Sequence, residues 1–117
     1  MHPNRDKAIL LDVARAAELA LDFKKSMDKA AFLKDIKTQS AILHQLMVMG
    51  EAVKRLSQEF RDQHPEIPWP LIAGLRDKLI HGYDIIDLDR VWHTINKDVP
   101  DLKTKLAPLL PQQQKKK

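Results

Sequence analysis

Residues 38–60 read TQSAILHQLMVMGEAVKRLSQEF. Within them Ile42, Leu46, Met49, Val53, Leu56 and Phe60 recur at steps of four and three, the spacing that lines apolar side chains along one stripe of an α-helix. Leu43, Met47 and Gly50 widen the stripe on one side, and Ala41, Val48 and Ala52 on the other. So broad an arc suits the central helix of a bundle, and it is more than one antiparallel neighbour covers. The surplus points to a subunit interface. The periodicity predicts a helix from about Thr38 to Gln63.

Toward the N-terminus, Ile9, Val13, Ala16, Ala20 and Phe23 repeat the same pattern and predict a helix from Asn4 to Phe23. Asn4 stands as its N-cap, Asp6 lies in its first turn, and Lys24-Lys25-Ser26 ends it. Asp28–Asp35, with Phe32 and Leu33, predicts a short helical turn. Toward the C-terminus, Pro65, Pro68 and Pro70 punctuate the chain. A third helix should start near Pro68 or Pro70, run to His81 and stop at Gly82. Asp87 or Asp89 caps a fourth helix carrying Val91, Trp92 and Ile95 to Val99, and Pro100 restarts a last segment with Leu102, Leu106 and Leu109. Nothing alternates as a strand does. The expected architecture is an all-α, up-and-down bundle of four to five helices in a single domain over residues 1–110, with 111–117 a disordered basic tail.

Composition narrows the function. The 117 residues are 44% hydrophobic and 31% charged, which is globular. With no cysteine, disulfides, thiol catalysis and cysteine-based metal sites are excluded. No apolar run approaches a membrane span, and the first residues are charged where a secretory leader is apolar, so the expected compartment is the cytoplasm with no membrane partner. Lys115, Lys116 and Lys117 supply three of the four excess positive charges. A nucleic-acid activity would therefore need a local site.

Few constellations offer chemistry. Gly50, Gly74 and Gly82 are isolated, so no phosphate-cradling loop exists, and Gly50 and Gly74 read as close-packing positions. His44, His64, His81 and His93 never share the spacing of a helical metal site. Asp84, Asp87 and Asp89 are explained by capping and solvation. Glu51 precedes Arg55 by four, which predicts an exposed ion pair. On a continuous third helix Arg76 falls within the arc of Ile72, Leu75 and Leu79, as would Tyr83 if the helix ran on. A buried guanidinium needs a carboxylate, a carbonyl cluster or a ligand phosphate. His81 lies roughly 140° around the helix from Arg76. Either the helix loosens before Gly82 or a second subunit completes the site. A plain reading, with a snorkelled Arg and a helix-terminal His, also stands.

Arg76-Asp77-Lys78-Leu79-Ile80-His81-Gly82-Tyr83 resembles Arg-x4-His-x-Tyr, the motif of HepT-like proteins in the HEPN superfamily. Gly50-Glu51-Ala52, Pro65-Glu66-Ile67-Pro68-Trp69, Val91-Trp92 and Val99-Pro100 resemble further family features in the same order, over roughly residues 5 to 110. Asp77 is a departure, since many members carry Asn there. The resemblance implies a homodimeric bundle acting as a metal-independent endoribonuclease toxin of a type VII-like toxin–antitoxin pair. It implies a minimal nucleotidyltransferase antitoxin that silences the toxin by moving AMP from ATP to the motif tyrosine. Arg76 and His81 become the catalytic pair, Tyr83 the modified residue, and Asp77, Gly82 and Glu51 supporting candidates. The protein would hold no cofactor, ATP and Mg2+ being co-substrates of the transferase. Two other readings stay open: a non-catalytic companion of the transferase, and a structural dimer whose motif orders the interface.

Overall fold

The computed structural model describes residues 3–83 and 85–111. Of the expected basic tail 111–117, residues 112–117 lie outside the described residues, as does Asp84. Helix α1 spans Pro3–Lys24, one residue earlier than the expected Asn4 cap, and ends where Lys25 takes a positive φ of 39°. Helix α2, Lys29–Leu33, is capped by Asp28, whose carboxylate accepts the Ala31 N–H at 2.9 Å. Helix α3 is Ile36–Lys54, and Asp35 caps it by accepting the Thr38 N–H.

The long helix expected over 38–63 breaks at Arg55–Ser57, and α4 follows as Gln58–Gln63. Polar competition is the cause. The Ser57 N–H turns away from the helix to donate to Asp6 Oδ1 at 2.9 Å, and its hydroxyl donates to Asp6 Oδ2 at 2.7 Å. The same hydroxyl accepts the Phe60 N–H and starts α4. The apolar stripe survives the break, with Leu56 buried and Phe60 packed against the core. Because Asp6 opens α1 and Ser57 follows α3, this contact also fixes the two helices as antiparallel neighbours.

The third helix divides too. Helix α5 is Trp69–Ala73 and α6 is Leu75–Leu79, separated at Gly74. Trp69 begins α5 buried, its indole N–H donating to the His64 carbonyl at 2.9 Å. Helix α6 ends two residues before His81, and the chain enters a strand pair absent from the sequence reading. Strand β1, Ile80–His81, runs antiparallel to β2, Ile85–Ile86, with Ile80 opposite Ile86 and His81 opposite Ile85. Three β-branched isoleucines and a glycine able to reverse the chain favour this hairpin. Gly82 carries it at φ 74°. The Leu79 carbonyl, which a continuing helix would offer to Tyr83, accepts the Asp87 N–H at 2.8 Å instead.

Helix α7, Leu88–His93, is capped by Asp87. It runs through a π-helical turn, Thr94–Asp98, into α8, Val99–Leu106, and a final 3-10 turn, Ala107–Leu109. Pro100 therefore restarts nothing. The widened turn, in which the Val99 N–H reaches back five residues to the Thr94 carbonyl, leads the helix into the proline.

The core is one cluster in which Leu10, Val13 and Ala17 of α1 meet Ile42, Leu46, Met49 and Val53 of α3, closed by Leu79, Val91, Ile95 and Leu106. The architecture is all-α, compatible with the expected bundle, with the hairpin as its sole exception among the described residues. No described helix is long and apolar enough to cross a membrane.

Candidate active site

Helix α6 is fastened by Leu75 and Leu79, both buried against the core. With α5 ending at Gly74, these two residues turn one face of α6 inward, and Arg76, about 100° from Leu75, lies on the exposed face. Arg76 is exposed, contrary to the expectation that it lies within the apolar arc. Among the described residues no carboxylate comes within 4.0 Å of its guanidinium. Asp77 and Lys78 are exposed beside it.

His81 sits on the hairpin rather than on a helix end. The helix loosens before Gly82, the first of the two solutions that the spacing left open. Its imidazole is a little over half exposed, and Nε2 lies 3.5 Å from Asp87 Oδ2. That distance marks an electrostatic contact rather than a formed hydrogen bond. The other Asp87 oxygen, Oδ1, accepts the Arg90 N–H at 3.0 Å as the cap of α7. This backbone bond, helped by the adjacent His81 and by the Arg90 charge, holds the Asp87 carboxyl below the usual carboxylate range. Asp87, Asp89, Arg90 and His93 line a shallow concavity there. Lys29 of α2 binds Asp89 at 3.0 Å, and Phe32 of α2 packs on Trp92 at 5.1 Å between ring centres, so this end of α7 is tied to the bundle.

Two residues on, Tyr83 projects from the hairpin at 96% exposure, so it packs on nothing. Ile85 at 62% and Ile86 at 37% extend an apolar surface beside it. Gly82 has open space where a Cβ would stand, so its positive φ, not crowding and not a helix end, calls for glycine.

Glu51 is placed elsewhere. It lines a groove of about 550 Å³ between α1 and α3 with Asp12, Arg15, His44 and Arg55, over a floor that includes Val48 and Ala52. It pairs with Lys54 at 3.2 Å, not with Arg55. Among the described residues no three histidines, aspartates or glutamates converge as a metal ion would require.

Sequence reasoning passed over Asp87 as a cap alone. A signal was present: Ile80 and Ile85-Ile86 bracket a turn containing Gly82, the pattern of a three-residue hairpin loop. Antiparallel pairing across such a loop brings the residue after the second strand back beside the first.

Comparison with known proteins follows the same residues. The family described as Ribonuclease HepT-like matches positions 13–109. The protein named "Probable ribonuclease HepT" from Thermococcus cleftensis is 43% identical over 103 residues, covering 88% of this chain and 94% of its own. A Methanocaldococcus jannaschii protein with a provisional RNase name is 41% identical over 100 residues, covering 85% and 83%. One from Caldanaerobacter subterraneus, named likewise, is 37% identical over 98 residues, covering 84% and 88%. No solved structure matches significantly. With the Arg76-to-Tyr83 motif carried on α6 and its hairpin, and with relatives of this identity aligned over most of their length, the chain belongs to the Ribonuclease HepT-like family.

Proposed function

We propose that this protein is a metal-independent endoribonuclease in which Arg76 and His81 carry the chemistry, and that it is the toxin of a type VII-like toxin–antitoxin pair. The observation that carries the reading is the exposure of both residues on adjoining elements, Arg76 on α6 and His81 on the strand that follows. RNA supplies its own nucleophile. An imidazole accepts the 2′-hydroxyl proton as that oxygen bonds to phosphorus. The P–O5′ bond breaks, and a second, protonated imidazole gives its proton to the departing 5′-oxygen. The guanidinium fork of Arg76 binds the non-bridging oxygens as charge builds on them.

The second imidazole is His81 of another copy. Ile85 and Ile86 beside His81, and the half-buried Met47 and Val48 on α3, supply apolar surface for a twofold dimer with the motif near its axis. Tyr83 is the regulatory position. Its phenol is fully presented to a minimal nucleotidyltransferase. Each AMP added there from ATP carries a bulky purine and one negative charge to a point two residues from His81, repelling RNA.

Purified protein incubated with RNA in EDTA should leave 2′,3′-cyclic phosphate or 3′-phosphate ends. Arg76→Ala and His81→Ala should each abolish cleavage with the fold intact, since both side chains are exposed. Strict Mg2+ dependence with 5′-phosphate ends would refute the mechanism, and a monomer by light scattering at micromolar concentration would refute the shared site.

A further inference from the structure

Asp87 is held from three directions before any substrate arrives. Its N–H donates to the Leu79 carbonyl at 2.8 Å, its Oδ1 accepts the Arg90 N–H at 3.0 Å, and the preceding residue, Ile86, is paired with Ile80. One oxygen, Oδ2, is left to face His81 Nε2. Among the described residues no other cationic side chain lies within 4.0 Å of this carboxylate. Arg90 and His93 of α7 line the same concavity, Asp89 is occupied by Lys29, and Arg76, Asp77 and Lys78 are exposed on α6.

A neutral imidazole has one N–H and one lone pair, on different nitrogens, and an ionised carboxylate can only accept. A carboxylate opposite Nε2 therefore favours the tautomer with the proton on Nε2 and the lone pair on Nδ1. We propose that Asp87 is a positioning residue that sets the orientation and tautomer of His81, assigning Nδ1 as the nitrogen that exchanges protons with RNA. The consequence for catalysis rests on the ribonuclease reading above; the tautomer itself does not. The 3.5 Å separation fits a pair that tightens when substrate displaces water, as hydrogen bonds in unliganded active sites commonly do. Asp87 touches no reacting atom. It acts through His81, as an orienting carboxylate does in other imidazole-based sites.

Asparagine separates this role from capping, because Asn and Asp are equivalent N-caps. In Asp87→Asn the amide oxygen stays on the Arg90 N–H, and an NH2 donor replaces Oδ2 opposite Nε2. Long-range 15N–1H spectra of the labelled full chain at about pH 8.5, where an ordinary imidazole is neutral, read the tautomer directly, with His81→Ala assigning the signal. We expect His81 in the Nε2–H form in the wild type and in the Nδ1–H form in Asp87→Asn. RNA cleavage should fall about tenfold or more while the melting temperature holds. Asp87→Ser, which keeps a capping oxygen and leaves nothing opposite Nε2, should lose cleavage as well. The same tautomer in wild type and Asp87→Asn, or cleavage by Asp87→Asn at the wild-type rate, would overturn the proposal. A tautomer switch in a wild-type protein that cuts no RNA would leave the Asp87–His81 coupling standing and remove the ribonuclease reading instead.

Discussion

Gly50 and Ile72 meet backbone to backbone: a Cβ at position 50 would stand 2.9 Å from the Ile72 carbonyl oxygen. Helix α3 thus presses directly on α5, the element that leads into the motif helix. Neither side of this contact is a flexible side chain, so neither can move aside cheaply. Gly50→Ala should destabilise the protein by about 1–3 kcal/mol in denaturant unfolding, despite alanine's higher helix propensity. A neutral or stabilising result would show slack between α3 and α5.

Asp6 and Ser57 make a second long-range tie, and Asp6 is buried. Asp6→Ala leaves the Ser57 N–H without its acceptor and frees the start of α1 from the end of α3. A loss of roughly 1–3 kcal/mol is expected from equilibrium unfolding. An unchanged midpoint would mean that water replaces the carboxylate without cost.

Acid should loosen the helix starts. The Thr38 N–H, then the Thr38 hydroxyl, hold the Asp35 carboxyl below its ordinary value, and the Arg90 N–H does so first for Asp87. For a carboxyl depressed in the folded state, the stabilisation is complete above the unfolded value of about 3.9. It is lost as pH falls below that value and through the folded one. Asp35→Asn keeps a cap that does not titrate. Its melting temperature should therefore fall less than the wild type's between about pH 5 and pH 2.5. Parallel curves would show that this cap contributes nothing to acid lability.

On the proposed regulation, wild-type protein incubated with the cognate transferase, ATP and Mg2+ should gain AMP mass increments, and Tyr83→Phe should keep RNA cleavage but gain none. The side chain contacts nothing that the missing hydroxyl would disturb, being 96% exposed. If Tyr83→Phe stops cleavage, the phenol belongs to the reaction rather than to its control.

The helices and their core were legible because apolar spacing is dictated by burial. The residues from Ile42 to Phe60 that formed the stripe are buried or packed against the core. The interruptions were harder to read, since each depends on a partner distant in sequence. Ser57 looks like an ordinary helical residue until Asp6, from the other end of α1, takes its N–H. Arg76 was read as buried by extending one helical phase across Gly74, where the backbone at φ −93° and ψ 11° breaks it. The hairpin went unread because two-residue strands give alternation no length in which to appear. The motif residues were singled out by their spacing and given roles by resemblance, and the partner of His81 emerged only once the chain folded back on itself.

Leu75 and Leu79 lock Arg76's helix to the core, whereas His81 and Tyr83 ride on a strand pair of two residues per side with exposed apolar tips. Such a ribbon is marginal on its own, and sparsely packed segments open at free energies well below that of global unfolding. The eight-residue motif therefore straddles two lifetimes. Amides of the ribbon should exchange with solvent through brief local openings, while those of Leu46 and Val53, deep in α3, should wait for the whole molecule to open. Arg76 is seated on a helix pinned to the core. His81 sits on the part of the motif that should open first while the bundle behind it stays shut.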